Sequence, residues 1–180
     1  PVVSPNGRLL ALNGNWGGAA VLDLVTGEFI GIGRGRAMLS PSWSPDSRQL
    51  AYVTQDDRLC IYNLNAAPDD CPFAPEGLLM EAVWSPTGSL IAAAVVTPPV
   101  EGSSDRCDGR VWLVDAATGA ATDVAGFITG LEYALGEAFQ WLADSSGLAI
   151  KRTGDSGGSA IYRPGDGSVV AFDEWIVDIA

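Results

Sequence analysis

One feature of the sequence constrains the fold more than any other: a unit of about forty residues recurs along the chain. Its four copies read VSPNGRLLALNG from Val3, WSPDSRQLAYVT from Trp43, WSPTGSLIAAAV from Trp84 and WLADSSGLAIKR from Trp141. In each copy this first residue, the anchor, is followed seven positions later by a branched aliphatic residue that opens a short apolar run. The repeat predicts an array of similar small units packed side by side rather than two unrelated domains.

Every unit shows the same order of short strands and tight turns. The turn after the anchor suits a chain reversal, since Pro fixes φ and Asn, Asp and Gly tolerate the backbone geometry of turns. An apolar strand follows, then a loop, a third strand and a second turn such as VTGE or PGDGS. The Ala-rich run 91–96 lies between Gly88 and Pro98, too short for a stable helix. These patterns predict an all-β fold of four-stranded antiparallel meanders.

The spacing of the anchors predicts the number of units. They are 40, 41 and 57 residues apart, and about 40 residues is the length of a four-stranded β-propeller blade. We therefore expect residues 1–180 to form a single β-propeller of about four blades. The longer third interval predicts two loop insertions, at 97–110 and 126–136.

The two ends of the chain suggest how a ring closes. The first unit begins almost at its turn, so its innermost strand is missing, whereas Asp173-EWIVDIA adds an apolar strand with no second strand behind it. We expect this closing strand, residues 173–180, to complete the first blade and remove exposed strand edges. Two alternatives stay open: the chain belongs to a larger ring of six to eight blades, or two copies complete one ring.

The W-S-P-D-x-x-x-L-A unit, followed by strands such as IYNL or VWLVDAATG, resembles the WSPDG repeats of Tol-type periplasmic propellers, with a looser similarity to WD repeats. The resemblance covers essentially the whole chain and implies a propeller, but it says little about function. Val3 stands where the other units have Trp, and Leu142 and Ala143 replace Ser-Pro in the fourth unit. No unit carries the GH or terminal WD pair of a strict WD repeat.

Charge and residue counts exclude several functions. The chain has 22 acidic and 10 basic residues, a net charge of -12, so nucleic acid is not an expected partner, because phosphate binding needs clustered Lys and Arg. No apolar run approaches the roughly 18 residues that would span a membrane. Histidine is absent, which removes His-dependent catalysis and the most frequent transition-metal ligand. We predict no catalytic residues, no cofactor and no metal site.

Three cysteines permit one disulfide and leave one thiol. Cys71 and Cys107 lie in polar, loop-like sequence, which indicates an oxidising, extracytoplasmic location, whether periplasmic, cell-surface or secreted. The expected strand order places Cys60 and Cys107 at the same end of the ring. We therefore expect Cys107 to pair with Cys60 or Cys71.

The tryptophans fall into different classes. Trp43, Trp84 and Trp141 occupy equivalent positions and are expected to pack one blade against the next. Trp16 lies in a Gly/Asn loop and is a candidate contact residue. Because propellers carry function in their connections, the third unit's insertion supplies the other candidates. The predicted partner surface consists of Trp16, Pro98, Pro99, Asp105, Arg106 and Asp108.

We therefore expect a noncatalytic protein–protein interaction scaffold in an envelope or extracellular assembly. Its acidic surface suits a basic protein, and a further copy of the chain is one candidate partner. Two other functions stay open. One is a regulatory or substrate-gating propeller domain of a larger hydrolase, and the other is carbohydrate binding through exposed aromatic residues such as Trp16.

Overall fold

The fold was described from a computed structural model, which covers residues 1–14, 18–34, 39–64, 70–97, 108–124, 129–130, 139–152 and 158–172. Across these residues the structure has seventeen β-strands and no helix. The strands form four antiparallel sheets, and in each sheet four strands that follow one another in the chain lie side by side. The prediction of an all-β, propeller-like fold with about four blades is confirmed.

The first two blades are regular four-stranded meanders. Blade 1 consists of β1 (Val2–Val3), β2 (Leu9–Gly14), β3 (Gly18–Asp23) and β4 (Phe29–Arg34). Blade 2 consists of β5 (Leu39–Trp43), β6 (Gln49–Val53), β7 (Leu59–Asn63) and β8 (Asp70–Phe73).

The last two blades repeat this order. Blade 3 consists of β9 (Leu78–Trp84), β10 (Leu90–Thr97), β11 (Asp108–Asp115) and β12 (Ala121–Asp123), and β13 (Thr129–Gly130) pairs with the start of β11. Blade 4 consists of β14 (Phe139–Trp141), β15 (Leu148–Arg152), β16 (Gly158–Arg163) and β17 (Ser168–Phe172).

The first blade has its own innermost strand. Val2 pairs with Ala11 and Val3 with Leu10, so β1 occupies this position in blade 1. The expectation that the first unit lacks an inner strand is therefore wrong, because two residues before the turn are enough to pair with β2. The proposed closing strand, residues 173–180, lies outside the described residues.

The turn after the anchor has the same hydrogen bonds in all four blades. The N–H of the residue after the anchor donates to the carbonyl five residues later, at 2.8 to 2.9 Å. The fourth residue after the anchor has a positive φ in every blade, and it is Gly7, Ser47, Gly88 or Ser145. Gly adopts this conformation without strain, whereas the two serines adopt it at a cost.

Within the described ranges, adjacent blades meet at three seams, each filled by an apolar cluster. Each cluster contains the anchor Trp of one blade and the aliphatic residue seven positions after that Trp. It also contains an Ala from the preceding blade, which lies eight positions after the anchor of its own blade. The trios are Ala11 with Trp43 and Leu50, Ala51 with Trp84 and Ile91, and Ala92 with Trp141 and Leu148. The prediction that these tryptophans pack between blades is confirmed. We call the Trp-bearing side of a blade its leading face and the Ala-bearing side its trailing face.

Hydrogen bonds cross the first and third seams in the same way. Trp43 Nε1 donates to the Val2 carbonyl at 3.0 Å, and Trp141 Nε1 donates to the Val83 carbonyl at 3.1 Å. The second seam lacks this bond. There the indole N–H of Trp84 is buried and has no partner among the described residues.

Candidate functional site

Each blade has its connections at two opposite ends. The turn after the anchor and the turn between the third and fourth strands lie together at one end, the turn end; in blade 1 the Leu24 N–H donates to the Arg8 carbonyl at 2.8 Å. The connections between second and third strands, and those between blades, lie at the opposite end, which we call the loop end. Both long insertions therefore start and finish at the loop end.

Of the predicted partner surface, only Asp108 lies among the described residues. Asp108 is the first residue of β11, and its backbone pairs with Thr97 and Gly130. The other predicted contacts fall in segments 15–17 and 98–107, outside the described residues: Trp16, Pro98, Pro99, Asp105 and Arg106. The role of these six residues as contacts stays a prediction.

A groove of about 700 Å³ opens where blades 2 and 3 meet at the loop end. This volume lies within the range of small-ligand sites, roughly 300 to 1,000 Å³. One wall is the connection from β8 to β9, and the other is formed by the end of β10 and the start of β11. The lining residues of this seam groove are Phe73, Ala74, Pro75, Glu76, Gly77, Val95, Thr97, Arg110 and Trp112.

Two aromatic rings and one guanidinium define the chemistry of the seam groove. The rings of Phe73 and Trp112 have centroids 5.5 Å apart and are tilted by 47°. Arg110 Nη1 donates to Asp123 Oδ2 at 2.9 Å, and the Arg110 side chain is 57% exposed. This bond uses one of the five N–H donors of a guanidinium. The groove can therefore take an apolar group on its aromatic wall and a hydrogen-bond acceptor at its rim.

Gly77 allows the two walls to approach each other. Its φ is +130°, and a Cβ at this position would lie 2.9 Å from the Val96 carbonyl oxygen and 3.0 Å from Val95 Cγ1. Any larger residue would push the β8–β9 connection away from β10. The shape of the seam groove thus depends on this glycine.

The lining residues carry no pair suited to acid–base or nucleophilic catalysis. Among the described residues that line the groove, Glu76 is the only carboxylate, and it is exposed. Throughout the described ranges, no cluster of three or more His, Cys, Asp or Glu side chains is placed to hold a metal ion.

The cysteine pairing differs from the predicted one. Cys60 in β7 forms a disulfide with Cys71 in the adjacent strand β8. This corrects the expectation that Cys107 pairs with Cys60 or Cys71, because both of those thiols are used by the direct bond. The reason is local: pairing of Leu59 with Phe73 and of Ile61 with Asp70 places the two cysteines side by side. Cys107 lies outside the described residues.

Several acidic residues have structural roles at the turn end. Asp23 accepts hydrogen bonds from Arg8 at 2.8 and 3.0 Å, which lowers the pKa of its carboxyl, and the backbone N–H groups of Val25 and Thr26 lower the pKa further. The Ser44 hydroxyl donates to Asp46 at 2.6 Å and lowers the pKa of Asp46 in the same way. These carboxylates hold turns together rather than forming a ligand site.

Sequence reasoning missed the seam groove. Phe73 and Trp112 are far apart in the chain, and only the packing of blade 2 against blade 3 brings them together. One signal was available: Arg110 and Trp112 alternate along β11 at the end of the insertion predicted for 97–110, as side chains on one face of a strand do. Within the described part of the chain there is also no helix long and apolar enough to cross a membrane.

Comparison with solved structures supports the propeller-like fold. The chain is similar to TolB from Acinetobacter baumannii, with a TM-score of 0.62, 16% identity, and coverage of 94% of this chain and 39% of that one. An oligogalacturonate lyase in complex with manganese gives a TM-score of 0.59 at 15% identity, covering 94% of this chain and 63% of the lyase. A TolB-like protein from Agrobacterium tumefaciens gives 0.66 at 13% identity, with 94% and 62% covered.

The fold is thus a propeller-like array of four-stranded blades, similar to the folds of these structures. At these identities the similarity concerns the fold alone. The chain spans between 39% and 63% of the length of these structures. No family profile matches the sequence, and no curated protein matches it.

Proposed function

We propose that this chain is a noncatalytic interaction module that presents its loop end to a protein partner outside the cytoplasm. The observation that carries this proposal is the seam groove: a preformed cleft with an aromatic wall and an exposed arginine, held between two interior blades. Aromatic residues and Arg are the residue types that contribute most to protein–protein binding energy. Rigid strands hold them in position before binding, which lowers the entropic cost of association.

The partner that fits has an apolar side chain for the groove, a carbonyl or carboxylate for Arg110, and a basic surface around them. The net charge of -12 favours encounter with a basic protein. The disulfide between Cys60 and Cys71 supports an oxidising, extracytoplasmic setting.

The test is affinity capture from the native source with the wild-type chain and two matched variants, followed by mass spectrometry. Arg110→Ala removes the guanidinium at the groove. Arg8→Ala is the control, because Arg8 is also 57% exposed and also ion-paired to an aspartate, but it lies at the turn end of blade 1. We expect Arg110→Ala to lower affinity for the captured partner at least about tenfold and Arg8→Ala to leave it unchanged.

Two results would refute the proposal. If both variants retain every partner with wild-type affinity, the seam groove is not the binding surface. If both lose binding equally, the interaction depends on overall charge and not on this site.

Carbohydrate binding is the second candidate function. It is favoured by the aromatic wall of the groove and by the similarity in fold to an oligogalacturonate lyase. A glycan array probed with the wild type, Arg110→Ala and Trp16→Ala would separate the two candidates. Saccharide binding that either substitution abolishes would favour this second function over a protein partner.

A further inference from the structure

The side chains that line the seam groove carry more hydrogen-bond donors than acceptors. Arg110 uses one of its five N–H groups, in the bond to Asp123. The indole N–H of Trp112 makes no hydrogen bond within the described ranges. The Thr97 hydroxyl can donate or accept, and the Glu76 carboxylate can only accept. These side chains therefore suit a ligand that is rich in acceptors and poor in donors.

The strands behind the groove leave no free edge for a peptide that would extend the sheet. Val95 and Thr97 belong to β10, which is paired with β9 on one side and with β11 on the other. Arg110 and Trp112 belong to β11, which is paired with β10 and with β12. Recognition by an added β-strand needs an exposed sheet edge. On these strands the occupant must therefore be held by side chains.

An α-helix also matches these donors poorly. Its backbone carbonyls accept bonds from its own N–H groups, so they are not available to Arg110 or Trp112. In a polyproline II helix the carbonyls have no internal partner, and each proline supplies a carbonyl without an N–H. Aromatic-lined grooves bind such segments in several classes of protein. Here the rings of Phe73 and Trp112 form the aromatic wall.

Charge favours a basic residue beside the prolines. Glu76 is exposed, and it has no ion-pair partner in the described part of the chain. The whole chain carries a charge of -12, which attracts a cationic segment and repels an anionic one. The groove and its surroundings thus select for Lys or Arg next to the proline.

The wall formed by residues 73–77 is fixed on both sides along the chain. Just before it, the disulfide between Cys60 and Cys71 ties β8 to β7. Just after it, Asp57 Oδ1 accepts a hydrogen bond from the Leu79 N–H at 3.2 Å. Because a polyproline II segment is also preformed, neither partner loses much conformational freedom on binding.

We propose that the seam groove binds a basic, proline-containing segment in the polyproline II conformation. One proline lies on the aromatic wall of Phe73 and Trp112. The backbone carbonyls accept hydrogen bonds from Arg110 and from the Trp112 indole, and a lysine or arginine of the segment pairs with Glu76. The inference rests on the proposed function, since it names the kind of segment that the protein partner presents to the groove.

Fluorescence anisotropy of labelled synthetic peptides, titrated with the full chain, tests the inference. The probe is a blocked peptide of repeated Pro-Pro-Lys units. One control peptide has Ala in place of every Pro, which restores the backbone N–H groups and removes the preformed helix. The other has Glu in place of every Lys. We expect the probe to bind saturably and both controls to bind at least about tenfold more weakly.

Protein variants locate the binding site. Arg110→Ala should weaken binding of the probe at least about tenfold. Trp112→Phe keeps an aromatic ring but removes the N–H, and it should weaken binding roughly two- to tenfold. Glu76→Lys should remove most of the difference in affinity between the lysine and glutamate peptides.

Two matched controls carry the same changes at the turn end of blade 1. Arg8→Ala removes an arginine that is as exposed as Arg110, and it should leave affinity for the probe unchanged. Glu28→Lys alters an exposed acid and gives the same net charge as Glu76→Lys. This control should keep the full preference for the lysine peptide. Circular dichroism and urea midpoints establish that every variant is folded.

Three results would overturn the inference. The first is a wild-type chain that does not bind the proline peptide, including the case in which a glycan binds and the peptides do not. The second is binding that Arg110→Ala and Trp112→Phe leave unchanged. The third is an alanine peptide that binds as tightly as the proline peptide.

Failure of this inference can be told apart from failure of the proposed function. If the proline peptide does not bind but a captured protein partner is lost with Arg110→Ala, only the polyproline inference is wrong. If the peptide binds as expected but no captured partner depends on Arg110, the inference about the groove stands and the proposed function is wrong.

Discussion

The three anchor tryptophans provide an internal comparison of a buried hydrogen bond. Trp43, Trp84 and Trp141 occupy equivalent positions and are all 5 to 6% exposed. The indole N–H of Trp43 and of Trp141 donates to a carbonyl of the preceding blade, whereas that of Trp84 has no partner in the described structure. Substitution of each Trp by Phe removes the same apolar area and the same N–H. Differences in the free energy of unfolding among the three variants therefore report the hydrogen bond.

The expected free energies of unfolding follow from these contacts. Lost packing costs about 1 to 2 kcal/mol at each position. At Trp43 and Trp141 the lost hydrogen bond adds about 0.5 to 1.5 kcal/mol, which gives a total of about 1.5 to 3.5 kcal/mol. At Trp84, removal of an unpaired buried donor returns about 1 to 3 kcal/mol. We therefore expect Trp84→Phe to be close to neutral.

Urea unfolding followed by circular dichroism measures this difference, because fluorescence would be altered by the substitutions themselves. With a slope of about 2 kcal/mol per molar urea, the midpoints of Trp43→Phe and Trp141→Phe should fall roughly 1 M below that of Trp84→Phe. Equal slopes among the variants are required, since arrays of repeats can unfold in parts. A Trp84→Phe protein as destabilised as the other two would refute the reasoning.

Three further predictions concern the turns and the disulfide. Ser47 has a φ of 62° and accepts a seam hydrogen bond. Replacing Ser47 with Ala should destabilise the fold by about 1 kcal/mol, whereas the Gly variant should stay within about 0.5 kcal/mol of wild type, because Gly removes the backbone strain as well as the bond. The urea midpoints of the two variants test this difference. Arg8 lowers the pKa of Asp23, so this carboxylate stabilises the fold at neutral pH, and this stabilisation is lost as pH falls below the ordinary Asp range. The free energy of unfolding of the Asp23→Asn protein should therefore depend less steeply on pH in acid, and an unchanged slope would contradict this. Reduction of the Cys60–Cys71 bond, which links residues 11 apart, should cost about 2 to 3 kcal/mol, and alkylation without reduction should label one cysteine per chain; labelling of three would contradict the pairing.

The fold could be predicted from the sequence because the repeat records the packing directly. The residue seven positions after each anchor faces the preceding blade, and the residue eight positions after it faces the following blade, as the alternation of side chains along a strand requires. Leu50 and Ala51 show this in one blade, since they belong to clusters on opposite sides. A pattern that repeats in sequence therefore predicts a contact that repeats in space.

The seam groove and the disulfide could not be predicted in the same way. Both depend on pairings that do not repeat: Phe73 meets Trp112 only where blade 2 packs on blade 3, and Cys60 meets Cys71 only through an irregular register between β7 and β8. The polarity of the sequence around Cys71 suggested a loop, yet Cys71 lies within β8. Period and composition describe what the blades share, whereas the groove and the disulfide depend on residues that the blades do not share.

The position of the groove between two blades limits which substitutions can disturb it. In a repeat array, stability is close to a sum of the units and of their nearest-neighbour interfaces, so a seam depends mainly on the two blades that form it. The seam groove lies between blades 2 and 3, and blade 1 and blade 4 pack on their other sides. An exposed substitution in blade 1 or blade 4 should therefore leave the geometry of the groove unchanged, and a partner that binds at Arg110 should keep its affinity. A large loss of affinity in such a variant would mean that the binding surface extends beyond blades 2 and 3.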